Sequence, residues 1–379
     1  MVLDPVTILI LLLVVWAIIY VVSRVLPLEK YRVEVTPLYL TVKTERLNRF
    51  LRETAAKYPR LWEVASNVGV AVAVGEVLLA FYILGSNLVN FLFAPQQAQA
   101  VFPLLIGITV SLQWIPYLLL AIGLAITIHE LAHGVVASRE GIAITSAGIV
   151  LAPITFGGFV EPDEAAFEQA RLTAKLRFLA AGSLSNLIVG IIVTLIATSL
   201  FVPGSGVLIM AVTKDGPAAG AGVMPWDVIY AINSTTITDL GDLAAVMAGV
   251  RPHDLLVVET SGGLRTFRAG VSDANASQGV MGVYNLVSYL ALRVGESSPQ
   301  ATYHLNLTFY WLSLIMINLA IFNMLPLYPL DGEAYVYAVL KTRVTTNLKA
   351  VRVAVNAVSL SLLVLNMALT FLNYGLTPI

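Results

Sequence analysis

Two histidines and a glutamate stand together in an otherwise apolar stretch, Ile128-His129-Glu130-Leu131-Ala132-His133. Residues four apart share one face of a helix, so the imidazoles of His129 and His133 can bind one Zn²⁺ ion. Glu130 then lies beside the water that the ion binds. Ionisable side chains are costly in such a stretch unless they face a cavity or each other. The spacing therefore predicts a hydrolytic zinc centre inside a membrane.

A hydrolytic zinc centre needs a third protein ligand and one position left open for water. The chain has two other histidines, and both are expected to be surface or interfacial residues. His253 lies in a polar segment, and His304 lies at the end of a predicted helix. A carboxylate is therefore predicted as the third ligand, and the membrane segments offer Asp331 and Glu76 as the main candidates.

The residues before Asp331 predict a break in a helix. Pro326 and Pro329 lie three apart, and neither can continue a helix. A break inside a membrane frees backbone carbonyl groups, which need a water-lined pocket nearby. Asp331 is therefore well placed to reach a metal. Glu76 lies in the middle of a predicted helix with no such break, which favours a buried packing or gating carboxylate.

The composition is that of an integral membrane protein, since 58% of the residues are hydrophobic and 12% are charged, whereas soluble domains have about 25% charged residues. Apolar stretches of about 20 residues can span the hydrocarbon core. The chain has no cysteine, which excludes disulfides and thiolate zinc ligands. No basic patch indicates a nucleic-acid partner. Six transmembrane helices are predicted, at residues 5–24, 64–94, 103–137, 179–202, 303–326 and 351–374.

The distribution of lysine and arginine predicts the orientation. Of these 22 residues, seventeen lie in 24–60, 139–177 and 341–352, and the other five lie between the fourth and fifth predicted helices. Positive residues mark the cytoplasmic side, which places the chain between those helices outside and the histidines toward the cytoplasm. The first helix is expected to be a retained anchor and not a signal peptide. A prokaryotic plasma membrane is the expected location.

Two segments between the helices have their own patterns. Residues 25–62 are polar and basic, with a short strand at 31–35 and an amphipathic helix at 44–58, and a solvated or lipid-surface loop is the preferred interpretation. Residues 141–160 contain β-branched residues interrupted by glycine and proline. This pattern predicts a membrane-associated β-hairpin, whose backbone must be satisfied by protein or by a wet cavity.

Charges and short β-branched runs return between residues 203 and about 287, which predicts a separate α+β domain. The runs at 206–212, 216–223 and 226–233 resemble a bacterial-type PDZ domain. The resemblance implies that this PDZ-like domain, residues 203–290, binds a peptide or protein by adding a strand to its sheet. A rigid extracellular spacer is the alternative.

The whole arrangement resembles the site-2 protease family of intramembrane zinc metalloproteases. The resemblance covers about residues 103–340 and rests on HExxH at 129–133, the glycine-rich hairpin, the PDZ-like insert and Asn-x-x-Pro-x-x-x-Leu-Asp-Gly at 323–332. It implies that His129, His133 and Asp331 bind Zn²⁺ and that Glu130 is the catalytic acid and base. The implied fold is a polytopic α-helical membrane protein of about six helices.

The resemblance assigns roles to four further residues. Asn186, in Ala181-Gly182-Ser183-Leu184-Ser185-Asn186, corresponds to a polar residue near the site, although Ser183 stands where the family usually has proline. Asn186 or Asn323 is expected to help stabilise the oxyanion, and an ordinary interhelical amide remains the alternative for Asn186. Gly157 and Gly158 correspond to a turn beside the active site, and they are predicted, with Asn323, to bind substrate.

The expected reaction is hydrolysis of transmembrane protein substrates within the lipid bilayer, with an unwound substrate strand lying along the hairpin. Three alternatives stay open: a membrane scaffold or receptor with a structural metal, a metal transporter, and a protease with a glutamate as third ligand. Four segments are predicted: an anchor helix with a basic cytoplasmic loop at 1–63, a transmembrane core at 64–202, the PDZ-like domain at 203–290, and C-terminal helices with the third ligand at 291–379.

Overall fold

The computed structural model describes residues 5–105, 108–153, 155–295 and 297–375. The chain forms two compact units, one comprising Met1–Val193 with Trp311–Ile379 and the other comprising Thr194–Tyr310. The helices are α1 (Pro5–Ser23), α2 (Glu45–Lys57), α3 (Pro59–Phe93), α4 (Ile115–Glu140), α5 (Glu164–Gln169), α6 (Leu172–Leu200), α7 (Pro217–Gly220), α8 (Leu240–Ala248), α9 (Pro299–Asn323), α10 (Asp331–Arg343) and α11 (Leu348–Tyr374).

The strands of the described residues form three antiparallel sheets. They are β1 (Val33–Val35), β2 (Leu40–Lys43), β3 (Ile144–Ala152), β4 (Thr155–Pro162), β5 (Phe201–Val212), β6 (Val228–Ile232), β7 (Thr235–Thr236), β8 (Leu255–Thr260), β9 (Gly263–Arg268), β10 (Gly270–Val271), β11 (Gly279–Val280) and β12 (Val283–Leu292).

Five helices in the described part of the chain are long and apolar enough to cross a membrane: α3, α4, α6, α9 and α11, the α4 span including the turn from Leu112. Helix α1 contributes a shorter apolar stretch, Ile10–Ser23. The predicted polytopic helical membrane protein is therefore confirmed. The four-segment division of the chain stays a prediction.

The predicted start of the third span, at residue 103, is wrong, because α4 begins at Ile115. Thr109 binds Pro103 and Leu105 in a non-helical arrangement. Its hydroxyl donates to the carbonyl groups of Pro103 and Leu105, and the backbone N–H of Leu105 donates to the same hydroxyl. These local hydrogen bonds compete with a helix. Proline in the first turn of α4 then starts the helix at a position where its missing N–H does no harm.

The predicted hairpin is confirmed, and it belongs to a larger sheet with the order β1-β2-β3-β4. Strand β2 pairs with β3 from Leu40 opposite Leu151 to Lys43 opposite Gly148. Helix α2 packs on the same assembly, with Leu51 fully buried in a cluster that includes Val135 of α4. The short strand and the amphipathic helix predicted within residues 25–62 are present as β1 and α2. The interpretation of the segment as a loop is corrected, because α2 packs beside the HExxH helix, while its contact with solvent or lipid stays a prediction.

The unit Thr194–Tyr310 contains an antiparallel sheet with the order β12-β5-β6-β8-β9, with β7 paired to β6, and a separate β10-β11 pair. The short helices α7 and α8 cover one core, in which Ile209, Ile229, Ile232 and Leu256 are almost completely buried. The predicted α+β domain is confirmed in this organisation.

Candidate metal centre

Helix α4 and the first residue of α10 bring three possible ligands to one point. The Nε2 atoms of His129 and His133 each lie 3.0 Å from Oδ2 of Asp331, and they lie 3.1 Å from each other. Tetrahedral zinc with bonds of about 2.0 Å separates its ligand atoms by about 3.3 Å. Among the described residues, these three side chains form a group that could bind a metal ion, called here the metal-capable group. The predicted convergence of the three side chains is therefore present.

The hydrogen bonding around His133 tests whether a cation fits. Its Nδ1 atom lies 2.8 Å from the carbonyl oxygen of Phe178, which can only accept a hydrogen bond. Nδ1 must then carry a proton, so Nε2 of the neutral ring presents a lone pair to the Asp331 carboxylate oxygen. Two lone pairs at 3.0 Å repel unless a proton or a metal cation lies between them. Two imidazole nitrogens and a carboxylate oxygen are a donor set typical of catalytic zinc.

The start of α10 is fixed by close backbone packing and by an ion pair. A Cβ atom on Gly332 would collide with the carbonyl group of Met324, so only glycine permits this approach beside Asp331. The next residue, Glu333, accepts hydrogen bonds on both of its carboxylate oxygens from Arg352 of α11, at 2.5 and 2.9 Å. These hydrogen bonds hold the pKa of Glu333 below its ordinary value. The predicted break after α9 is thus followed by a helix whose first turn is held by close packing and by an ion pair.

Helix α6 supports both imidazoles along one stripe, with residues at intervals of four. Phe178 supplies its carbonyl group to His133, as described above. Gly182 lies so close to His129 that an added Cβ would be 2.5 Å from Nε2 of the ring. Asn186, which is completely buried, has Nδ2 at 3.4 Å from Nδ1 of His129. The approach of α6 therefore limits where both rings can lie.

Glu130 faces strand β4, and its carboxylate does not belong to the metal-capable group of His129, His133 and Asp331. Its Oε2 accepts a hydrogen bond of 3.3 Å from the backbone N–H of Val160. One turn earlier, Thr127 accepts from the N–H of Gly158 at 2.9 Å. A Cβ on Gly157 would lie 2.7 Å from Cγ2 of Ile126. The two glycines therefore allow β4 to pack closely on the HExxH helix, and their predicted role in substrate binding stays a prediction.

Asn323, the last residue of α9, borders the ligand atoms from another side. Its Nδ2 donates to Oδ2 of Asp331 at 2.7 Å and lies 3.3 Å from Nε2 of His129. Asn186, by contrast, meets the opposite nitrogen of the same ring. The two asparagines that the sequence pairs as oxyanion donors thus approach His129 from different sides.

A family model described as Peptidase family M50 matches residues 117–366, which is more than half of the chain. The chain belongs to peptidase family M50. The matched residues of this M50 chain include the HExxH helix and the third candidate ligand. The resemblance to the site-2 protease family is confirmed at this level.

Two relatives have similar sequences. An uncharacterized protein of Methanocaldococcus jannaschii is 26% identical over 330 residues, which cover 86% of this chain and 83% of the relative. A membrane-bound transcription factor site-2 protease homolog of Arabidopsis thaliana is 26% identical over 159 residues, covering 42% of this chain and 31% of that protein. Among solved structures, the PDZ domain of an SdrC-like protein from Listeria innocua matches 24% of this chain and 97% of its own length, with 14% identity and a TM-score of 0.19.

Glu76, the other candidate for third ligand, lies buried in α3, 3% exposed. Neither of its oxygens has a hydrogen-bond partner among the described residues, and the metal-capable group contains Asp331 in its place. Sequence reasoning missed Phe178 and Gly182. Phe178 acts through a backbone carbonyl, and its side chain carries no signal for that. Phe178, Gly182 and Asn186 are spaced four residues apart, and this spacing is the sequence signal that could have placed them on one face of α6.

Proposed function

We propose that this M50 chain is a zinc-dependent endopeptidase that hydrolyses peptide bonds of membrane-spanning protein substrates. His129, His133 and Asp331 would hold the ion, and their convergence is the observation that carries the proposal. Zinc in such a site supplies Lewis acidity, which lowers the pKa of a water molecule and polarises a carbonyl group. The remaining chemistry belongs to side chains of the chain itself.

Glu130 is the proposed general base and acid. It takes a proton from the attacking water and returns that proton to the leaving nitrogen. The hydrogen bond from Val160 supports this role, because it orients the carboxylate beside the ligand group and away from direct ligation. Asn323 is the proposed donor to the developing oxyanion, since its amide N–H₂ already borders Asp331 and His129 on the side where the ligand atoms lie.

Strand β4 is the proposed place for the unwound substrate. It is the terminal strand of its sheet, whereas β3, which carries Ile149 and Val150, is covered on its other side by β2. An extended peptide adds to a free sheet edge through main-chain hydrogen bonds. Two N–H groups at this edge, those of Gly158 and Val160, donate to Thr127 and Glu130 of α4. A substrate strand would bind here in place of these contacts, beside the proposed base.

The orientation and the partners are also proposals. The PDZ-like domain is proposed to lie outside the membrane and to bind a peptide or protein, with the metal centre toward the cytoplasm of a prokaryotic cell. Because the chain has no cysteine, Lys214→Cys and Lys341→Cys give clean labelling sites. An impermeant thiol reagent should label the first in intact cells and the second only after the cells are opened. The reverse pattern contradicts the orientation.

The test of the function uses the purified full chain, zinc analysis and cleavage of a single-pass test protein. Glu130→Gln should keep zinc at the wild-type level and lose hydrolysis by a factor of about 10³. Asp331→Ala should lose zinc, whereas Glu76→Ala should retain it. Full hydrolysis by Glu130→Gln would remove the proposed base. Zinc binding by a wild-type chain that cleaves no substrate would favour a scaffold with a structural metal.

A further inference from the structure

The amide of Asn186 has an unmatched buried atom beside a proposed ligand. Asn186 is completely buried in α6. Its Nδ2 lies 3.4 Å from Nδ1 of His129, while its Oδ1 has no hydrogen-bond partner among the described residues. A buried acceptor without a partner is costly. The arrangement therefore needs an explanation from the chemistry of the neighbouring ring.

The protonation of a zinc-bound imidazole supplies that explanation. A neutral histidine that binds a cation through Nε2 carries its proton on Nδ1. In His129 this N–H would face the N–H₂ group of Asn186, so that two donors oppose each other. Rotating the amide by 180° exchanges its nitrogen and oxygen, two atoms of almost identical shape. The oxygen then accepts from Nδ1–H, and two opposed donors become one hydrogen bond.

The second histidine has the same kind of support from the same helix. Nδ1 of His133 donates to the carbonyl oxygen of Phe178 at 2.8 Å, two helical turns before Asn186 on the α6 stripe. Hydrogen bonds of this type fix the tautomer and the ring orientation of metal-binding histidines. Between the two acceptors lies Gly182, against which the ring of His129 packs.

We infer that Asn186 is a positioning residue, whose oxygen accepts the Nδ1–H of His129 and aims Nε2 at the metal, and that it does not contact the substrate. The inference rests on the proposed zinc centre. It separates the two asparagines by function: Asn323 borders the ligand atoms, and Asn186 lies behind the imidazole. It also explains why an amide is buried in a membrane-spanning helix.

The experiment measures zinc affinity by competition with a chromophoric chelator, and the visible absorption of bound Co²⁺, in the purified full chain. Asn186→Ala should lower zinc affinity by about 10- to 100-fold, the usual effect of losing such support. Asn186→Asp should retain or raise the affinity, because a carboxylate also accepts from Nδ1–H. Ser183→Ala is the matched control, since Ser183 is a fully buried polar residue of α6 whose hydroxyl has no hydrogen-bond partner in the described structure; its affinity should be unchanged.

Activity at saturating zinc separates this role from an oxyanion donor. If Asn186 positions His129, excess zinc should restore most of the kcat of Asn186→Ala, and Asn186→Asp should remain active. Wild-type zinc affinity and an unchanged Co²⁺ spectrum in Asn186→Ala, with kcat lost at any zinc concentration, would overturn the inference. Because affinity is measured without substrate, a chain that binds zinc but cleaves nothing would refute the proposed function alone.

Discussion

Replacing Gly182 with alanine adds one methyl group beneath the ring of His129. An ideal Cβ at this position lies 2.5 Å from Nε2 and 2.6 Å from Nδ1 of the imidazole. Carbon atoms in contact are separated by about 3.5 Å or more. The ring, or helix α6, must therefore move by about 1 Å. His129 is buried and touches Asn186 as well, so the shift also disturbs this contact.

The consequence for the metal follows from the tolerance of zinc sites. Ligand distances in such sites vary by about 0.2 Å, far less than the required movement. We expect zinc affinity to fall by about 100-fold, the upper end of the effect of disturbing the support of a ligand histidine. Overpacking a well-packed interior also costs about 1–3 kcal/mol of stability. Metal binding should therefore be affected beyond any general loss of stability.

The assay pairs zinc affinity with thermal unfolding of the metal-free protein in detergent. Gly190→Ala is the matched control on the same helix, because its Cβ would lie 2.7 Å from Cγ1 of Ile317 and has no metal ligand among its three nearest contacts. Both variants should lower the Tm, and only Gly182→Ala should weaken zinc binding. Equal zinc affinity in the two variants would refute the argument that the close approach of α6 sets the position of His129.

Two further predictions concern β4 and α10. Val160→Pro removes the N–H that donates to Glu130, at a terminal strand where proline is tolerated. Zinc content should be unchanged, and kcat should fall about 10-fold, the value of one hydrogen bond. An unchanged kcat would show that this hydrogen bond does not contribute to catalysis. Arg352→Gln removes the charged partner of the almost buried Glu333 carboxylate, which keeps a hydrogen bond from Asn356. The side chain of Arg352 is itself 40% exposed. Stability should fall by about 2 kcal/mol, between the values for exposed and buried pairs, and Glu333→Gln added to it should recover part of the loss in denaturant unfolding.

The convergence of His129, His133 and Asp331 was predictable because each residue departs from the pattern around it. Two histidines and a glutamate in an apolar helix are costly unless they face a cavity or each other, and two prolines before Asp331 prevent the helix from continuing. Both expectations rest on a few residues whose physical chemistry allows few alternatives. The helix α9 does end at Asn323, and α10 does begin at Asp331.

Other parts depend on packing that local sequence does not encode. Strands β1 and β2 have three and four residues and become ordered by pairing with each other and with β3. Pro103 and Leu105 lie outside α4 and are bound by the hydroxyl of Thr109, a contact that the sequence does not reveal. The role of Phe178 belongs to a carbonyl group that every residue has. Such features become visible only when the partner segment is in place.

Two contacts between elements can be disturbed by substitution, and the effects of the substitutions should combine differently. The first is the contact of α6 with His129, where Gly182 and Asn186 both touch the same imidazole ring. The second is the contact of α10 with α11, where Arg352 holds Glu333 near Asp331, the proposed third ligand. Changes that share a partner are coupled, whereas distant changes add. The effects of Gly182→Ala and Asn186→Ala on zinc affinity should therefore combine to less than their sum in free energy, since a ring already displaced has less to lose, while Arg352→Gln should add to either. Full additivity of the first pair would mean that the stripe on α6 does not act as one support.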